Sequence, residues 1–594
     1  MDRNTILAIV LSVVVIIAGT TLQTIFMEEE MLETEAAAEA QIVEQASLPA
    51  YSTGQVITAL GKDPDSSPFT VETGSFAVTF NPAGAGISSI KLLDHMEKGE
   101  PVELLYNEEG DVDAFSLYAG NDHTMPVDTV FNYRIDNSSS SLDATRIIFS
   151  RDFRTSEGTE FTIEKQYAVP NNGEYLIQLA VRVHTADGSP VPVNLDGSMY
   201  TLSLGPQIGP ELGQKNNYDY RRVDVKYSGD KKKTTVKYKN NAYTADEPVQ
   251  WISLNGKYFA FIIEPEDTGK FTEISAAVGE ASDAVYQRNH IYLTRSASGE
   301  SSVTDLYSFY AGPKVKSDLT SYNNGDNIFN LSGLDLDKVL DGSWLTWLEN
   351  ILKFILNIFY KIIPNYGIAI ILLTILIKVI LQPISKKSME GTAKMSALNP
   401  KIEEIKEKYP DNPDMQNQAM AKLYKEEGIN PMGSCLPMLI QFPIFIALYG
   451  LLNTNFDLRG SMFIPGWIPD LSVPDTIFTL PFTIPLLGSQ VHLLPILYTI
   501  SMIFSMKITQ SGQSTGSQAS TMAFMTYGMP IMFFFIMYNA PSGLLLYWST
   551  VNIISIGQQV LVNKKKVAGY QQEFQEKEEE KQAKKEAKKR NKRK

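Results

Sequence analysis

Cysteine is almost absent: Cys435 is the only one in 594 residues. A single thiol excludes an intramolecular disulfide and any CxxC metal or redox pair. Histidine is scarce too. His95, His123, His184, His290 and His492 are scattered, and none forms an HExxH zinc pair. No GxxxxGK[ST] phosphate loop occurs. The nearest glycine cluster, "GAGIS" at Gly84, lies in strand-like sequence with no helix after it and reads as a turn. These absences remove the usual enzyme chemistries, so no catalytic residue, metal or cofactor is expected.

What is present is uneven. From Pro364 to the end there are 24 Lys/Arg and 17 Asp/Glu, a net of +7, which leaves −22 for residues 1–363 of the chain's −15. An acidic front half joined to a basic, apolar back half points to two compartments.

The front half opens on "NTILAIVLSVVVIIAGTTLQTIFM" (Asn4–Met27), whose roughly 20 apolar residues suffice to cross a bilayer core of about 30 Å. It is longer than a signal-peptide core and lacks a clear small-x-small cleavage site, so residues 1–27 are expected to be an uncleaved anchor. Arg3 before it and Glu28, Glu29 and Glu30 after it put the N-terminus in the cytoplasm. Residues 28–67, rich in Ala, Glu, Ser and Pro, read as a flexible linker. From 68 to 340 short alternating runs such as "SFAVTF", "TEFTIEKQYAV" and "EYLIQLAVRVH" predict an exterior all-β sandwich. "KKK" at Lys231–Lys233 reads as a solvated hairpin tip.

"WLTWLENILKFILNIFYK" (Trp344–Lys361) carries Glu349, Lys353 and Asn357 on one helical face, with Leu348, Ile351, Leu352, Ile355 and Phe359 opposite. Residues 341–361 are expected to form an amphipathic helix lying in the membrane interface; a core helix of the β domain is the alternative. Five apolar segments follow within 362–563, beginning near Gly367, Leu436, Leu493, Thr521 and Gly543. With the anchor they make six spans and put both termini inside. The loop charges agree: 385–430 carries eight lysines and the tail 564–594 carries 13 Lys/Arg, whereas 453–490 holds only Arg459. The loop 385–430 reads as a cytoplasmic helical hairpin, with Asn412 as N-cap, Pro413 at the first helical position and Gly428 just past the end.

Two stretches in this half, "ALNPKIEEIKEKYPDNPDMQNQAMAKLYKEEGINPMGSCLPMLIQFPIFIALY" and "APSGLLLYWSTVNIISIGQQ", resemble the two signature regions of the YidC/Oxa/Alb family of membrane-protein insertases. The resemblance runs from about Trp344 to Lys566. The anchor and large exterior domain are similar to the Gram-negative layout of that family, and "YSFYAGPKVKSDL" (Tyr307–Leu319) resembles that domain's closing motif. The resemblance implies five core helices around a hydrophilic groove open to cytoplasm and lipid. It implies nascent membrane proteins as clients, with the Sec translocon, the ribosome and membrane lipids as partners, in the inner membrane. The family usually has an arginine where this chain has Lys378, and lysine keeps the charge but loses the planar bidentate fork.

Lys378 is the flaw in the span "GIAIILLTILIKVILQPISKK", where a mid-bilayer lysine costs roughly 2.5–3.5 kcal/mol. It is the candidate charge that draws acidic client segments into the groove. The alternative is a lysine that snorkels to the surface from about 7.5 Å before Pro383. Thr374, Gln441, Tyr527, Ser549, Asn552 and Gln559 complete the candidate groove, and each could instead join helices by hydrogen bonds. Trp548 occupies a position often tyrosine in the family, where it resembles a client-contacting residue; an aromatic-belt role stands beside that. Met522, Met525, Met529, Met532 and Met537 offer adaptable apolar surface. The basic tail fits both lipid headgroups and the ribosome's phosphates. The rival function is a channel or secondary transporter with a sensory or sugar-binding exterior domain, although no internal repeat supports it.

Overall fold

The computed structural model describes residues 57–591 apart from 98, 107–110, 122, 124–125, 137–142, 192–197, 206–207, 211–218, 280–287, 343, 411, 430–435, 486 and 511–522. The expected anchor, most of the linker, Cys435 and Met522 lie outside the described residues. The chain divides into two compact units, one running to the end of the β region plus Thr454–Gly460, the other comprising the remaining helical part from Trp344.

The β unit is built from antiparallel sheets. The largest runs, in hydrogen-bonded order, Ile57–Ala59, Ala144–Thr155, Glu160–Pro170, Leu176–His184, Ser302–Pro313, Phe259–Pro265, Val249–Gly256, Arg221–Tyr227 and Thr234–Thr235, with Asn132–Asp136 beside Ala144–Thr155. A second holds Ala242–Thr244, Phe271–Gly279, Arg288–Ser296, Ser198–Leu204 and Leu117–Ala119. A third is the meander Phe69–Glu72, Phe76–Asn81, Gly86–Glu97 and Glu100–Glu103.

Alternation explains the layering. In Glu160–Pro170 the side chains of Phe161, Ile163, Lys165 and Tyr167 are buried with half-buried residues between, and the run Tyr167–Pro170 is buried throughout. Phe80 of the third sheet packs on Phe149 and Tyr167 of the first, and Tyr200 of the second donates to Asp305 of the first at 2.7 Å. Arg295 completes that buried cluster, its Nε donating to Asp305 at 2.9 Å. Lys165 donates to the carbonyls of Ala85 and Phe115, two non-glycine residues at φ 51° and 64°. Burial pushes the Lys165 ammonium down to about 7.

One expectation is corrected here. Of the three consecutive lysines, Lys233 is not solvated: its Nζ donates to Asp224 and to the Val339 carbonyl, both at 2.6 Å. The closing motif forms the end of Ser302–Pro313 and then helix α1 (Lys316–Ser321), whose Leu319 is fully buried.

The helical unit begins with α2 (Thr346–Ile362). Its apolar Trp347, Ile351, Phe354 and Ile358 are exposed, while the Glu349, Lys353 and Asn357 stripe is half-buried. The buried side of the helix is formed by Leu352 and Leu356, with the polar stripe half-buried beside them. A Cβ on Gly450 would meet Glu349 Oε1 at 2.7 Å, so a larger residue there would displace that carboxylate.

Helix α3 (Tyr366–Ala397) is capped by Asn365, whose side chain accepts from Ile368 N at 3.1 Å. It continues through Pro383 to Ala397, so residues 385–397 belong to this helix and not to the following loop. At about 1.5 Å per residue its 32 residues reach about 48 Å, well beyond a bilayer core.

The helical hairpin proper is α4 (Asn399–Lys408) and α5 (Pro413–Glu426). Asn412 accepts from Met415 N, and Gly428 has φ +63° after the last turn. Then come α6 (Leu436–Thr454), α7 (Leu493–Gln510), a π-helical turn at Phe524–Gly528, α8 (Met529–Met537) and α9 (Ser542–Asn591).

Among the described residues two helices, α3 and the Ser542–Lys577 part of α9, are long and apolar enough to cross a membrane, and α6, α7 and the Phe524–Met537 segment contain shorter apolar helices. No break separates span from tail. Phe574 of α9 is 5% exposed in a cluster with Ala397, Leu398, Ile402 and Ile429, and Lys566 pairs with Glu390.

Candidate functional site

Asparagine, serine and glutamine recur along one side of α9 at Asn552, Ser555 and Gln559, spacings of three and four that place them on one helical face. Helix α3 presents Lys378 to this row. The Lys378 ammonium donates to Ser555 Oγ at 2.9 Å, and the residue is 9% exposed. It crosses to the neighbouring helix instead of extending along its own helix to the surface. No carboxylate pairs with it among the described residues, and its partner there is a neutral hydroxyl.

One turn earlier Thr374 is fully buried, and its hydroxyl donates back to the Ile370 carbonyl at 2.7 Å. It adds a polar atom beside the lysine without reaching across. Asn552 Nδ2 donates to Ser501 Oγ of α7 at 3.4 Å, and Gln559 Nε2 to Asn563 Oδ1 at 2.7 Å. Buried polar atoms of the same helix, among them Trp548 Nε1, Ser549 Oγ and Gln558 Oε1, have no protein partner among the described residues.

The sequence matches two family models: residues 358–569 that of the "60Kd inner membrane protein", and residues 68–355 that of the "YidC periplasmic domain". The chain is 38% identical to the membrane protein insertase YidC of Treponema denticola, over 95% of this chain and 99% of that one. It is 33% identical to the protein of the same description from Treponema pallidum, over 95% and 99%. The chain belongs to the YidC family of membrane protein insertases. An active YidC insertase crystal structure aligns over 85% of this chain and 94% of that one, at 17% identity and a TM-score of 0.35. The β unit is thus the family's periplasmic domain.

Within this YidC-family core the remaining candidates lie as follows. Gln441 of α6 is half-buried beside Tyr547 of α9. Trp548 is 6% exposed, its ring stacked on Phe445 at 5.1 Å and tilted against Tyr498 at 5.9 Å. It is enclosed by protein and is no exposed belt residue. Tyr527 is 44% exposed, and its ring lies under Lys507 at 5.4 Å. Ser555 and Asn563 were not singled out from the sequence. The 552, 555, 559, 563 spacing was the available signal.

Proposed function

We propose that this chain is a membrane protein insertase whose clients pass along a hydrophilic groove formed by α3 and α9 with α6 and α7, lined by Lys378, Thr374, Gln441, Ser549, Asn552 and Gln559, with Trp548 and Tyr527 as its aromatic contacts. The observation that carries the reading is the buried Lys378, uncompensated by a carboxylate and facing a row of polar side chains. Leaving a buried polar atom unpaired costs about 1–3 kcal/mol, and an ion costs more. A groove that admits water and polar client backbone removes that penalty. It also shortens the apolar distance that a hydrophilic client segment must cross.

Six spans, both termini in the cytoplasm, complete the proposed topology in the inner membrane. Nascent membrane proteins are the clients. The α4–α5 hairpin and the basic end of α9 suit the ribosome and anionic lipids, and cooperation with the Sec translocon belongs to the same reading.

The test is the purified full chain in sealed vesicles, supplied with a client whose translocated segment is scored by protease protection. Protected client supports the insertase. Solute flux without client insertion supports the channel or transporter instead.

A further inference from the structure

From Thr476 to Met506 the chain contains no Asp, Glu, Lys or Arg. The second part of this stretch is α7. The first part is a two-stranded antiparallel hairpin, Thr476–Ile484 with Gly488–His492, in which Phe478 faces Val491 and Ile484 faces Gly488. An isolated two-stranded hairpin is marginal in water. This one also turns its apolar side chains outward, with Ile477 46%, Phe478 54% and Phe482 60% exposed. Ile477 is the extra residue of a bulge between the pairs Thr476–His492 and Phe478–Val491, so its side chain is exposed beside that of Phe478.

The base, by contrast, is firmly held. The buried Asp475 accepts from the backbone N–H of Leu493 and Leu494, at 3.1 and 2.7 Å, which caps the start of α7. The Trp467 indole N–H donates to the same carboxylate at 3.0 Å. Tyr538 donates to the Gln490 carbonyl at 2.8 Å, and its ring packs on His492. A rigid base thus holds a hairpin whose apolar side chains, Ile477 and Phe478 near the base and Phe482 toward the turn, are uncovered.

Three features select lipid as its occupant. The hairpin runs directly into α7, whose Leu497, Ile500 and Phe504 form an exposed stripe at helical spacing, so the hairpin continues the apolar surface of a membrane helix. Water-facing edge strands ordinarily carry charges that prevent sticking, and none is present here. The open edges also limit depth, because unpaired backbone groups are not tolerated in hydrocarbon. Pro481 and Pro485 each remove one such donor.

We propose that the hairpin Thr476–His492 is a lipid-binding element that lies along the headgroup–acyl boundary of the exterior leaflet, with Ile477, Phe478 and Phe482 against the upper acyl carbons. Its depth is that of interfacial apolar segments, about 5–10 Å. The proposal rests on the reading of α6 and α7 as membrane spans, and its test can fail separately from that reading.

The experiment uses the full chain carrying Cys435→Ser, with a nitrobenzoxadiazole fluorophore on Phe482→Cys, in vesicles of phosphatidylethanolamine and phosphatidylglycerol. Nitroxide lipids labelled near the headgroup or at the chain end, and aqueous iodide, serve as quenchers. Shallow nitroxide should quench about twofold more than deep nitroxide, with iodide weakly effective, as an interfacial position requires. Strong iodide quenching overturns the proposal, since the hairpin is then in water. Failure of both quenchers also overturns it, since protein then covers the hairpin. Phe478→Cys repeats the measurement should Phe482→Cys misfold. The same label on Ile500→Cys reports on α7 alone: deep quenching there with strong iodide quenching at Phe482→Cys refutes the hairpin assignment and leaves the span intact.

Discussion

Lys378 places a buried amine against a neutral hydroxyl with no carboxylate beside it among the described residues, so its value lies in what it attracts. If the groove uses charge and not a fork-shaped contact, Lys378→Arg should insert clients as well as the native chain. Lys378→Ala should lose insertion, by about tenfold or more, mainly for clients with an acidic exterior segment, which is the scale of about 1.4 kcal/mol of lost attraction. Lys378→Glu should be worst for those same clients. Paired clients differing only in that charge, compared at matched expression, make the measurement, and equal activity of Lys and Ala for both would reject the charge role. A second residue gives a pH signature in the periplasmic domain. Glu264 is pushed up to about 8 by burial, and its Oε2 has no partner among the described residues. The folded state therefore holds this proton more tightly than the unfolded chain, whose carboxylate titrates near 4.5. The stability it contributes is full below that value and falls as pH rises toward about 8, by about 1.4 kcal/mol per unit. Urea unfolding of the full chain in detergent, followed through sheet circular dichroism, should show Glu264→Gln losing that slope between about pH 5 and 8. Residue-level legibility was uneven for a physical reason. Lys378 stood out because a lone charge in an aliphatic run is costly wherever it goes. Ser555 did not, since a serine in a membrane helix is cheap and only its neighbour reveals it. Lys233 was misread because its partners, Asp224 and Val339, are distant in sequence.

At the scale of elements, local signals carried well and orientation did not. The Asn412–Pro413 start and the Gly428 end of α5 were readable because caps are made by adjacent residues. The stripe on α2 was readable as a face, but periodicity does not say toward what that face turns. Leu352 and Leu356 form its buried side, and Glu349 and Lys353 lie half-buried beside them. The span through Pro383 ran on for another three turns, since a single missing N–H does not end a helix whose remaining turns are paired. The π-helical turn at Phe524–Gly528 and the Thr476–His492 hairpin left no periodic trace and were passed over as span and loop. The α4–α5 hairpin gives the element-scale prediction. Its inner side packs on Ala397, Leu398 and Phe574, whereas Met415 near its turn is 40% exposed. Removing Tyr409–Asn412 and rejoining the helices with a short glycine link should reduce insertion several-fold while the core stays membrane-integrated. Unchanged activity in that variant would make the hairpin a connector only.

For the whole molecule, the division of labour follows the division of charge. The periplasmic domain lies in the part that carries the −22, has its own core around Trp251, Tyr167 and Tyr307, and contains none of the groove candidates. Leu319, Leu334, Leu336 and Val339 are buried in that same core. A clean deletion therefore removes residues 68–342 and keeps α2. One further piece belongs to the domain. Phe456, from the segment after α6, packs edge-on against His95, Tyr258 and Phe259, and Arg459 pairs with Glu97. Deletion alone would leave Phe456 bare and invite aggregation that mimics loss of function, so the deletion is best paired with Phe456→Ser. If the groove acts alone, this double variant should retain at least about half of the native insertion, a loss below about 0.5 kcal/mol in effective terms. The measurement is protease protection of a client in vesicles, normalised to folded protein by gel filtration. Complete loss in a monodisperse, membrane-integrated variant would mean that the domain takes part in insertion itself, and the groove assignment would then need the domain as a component.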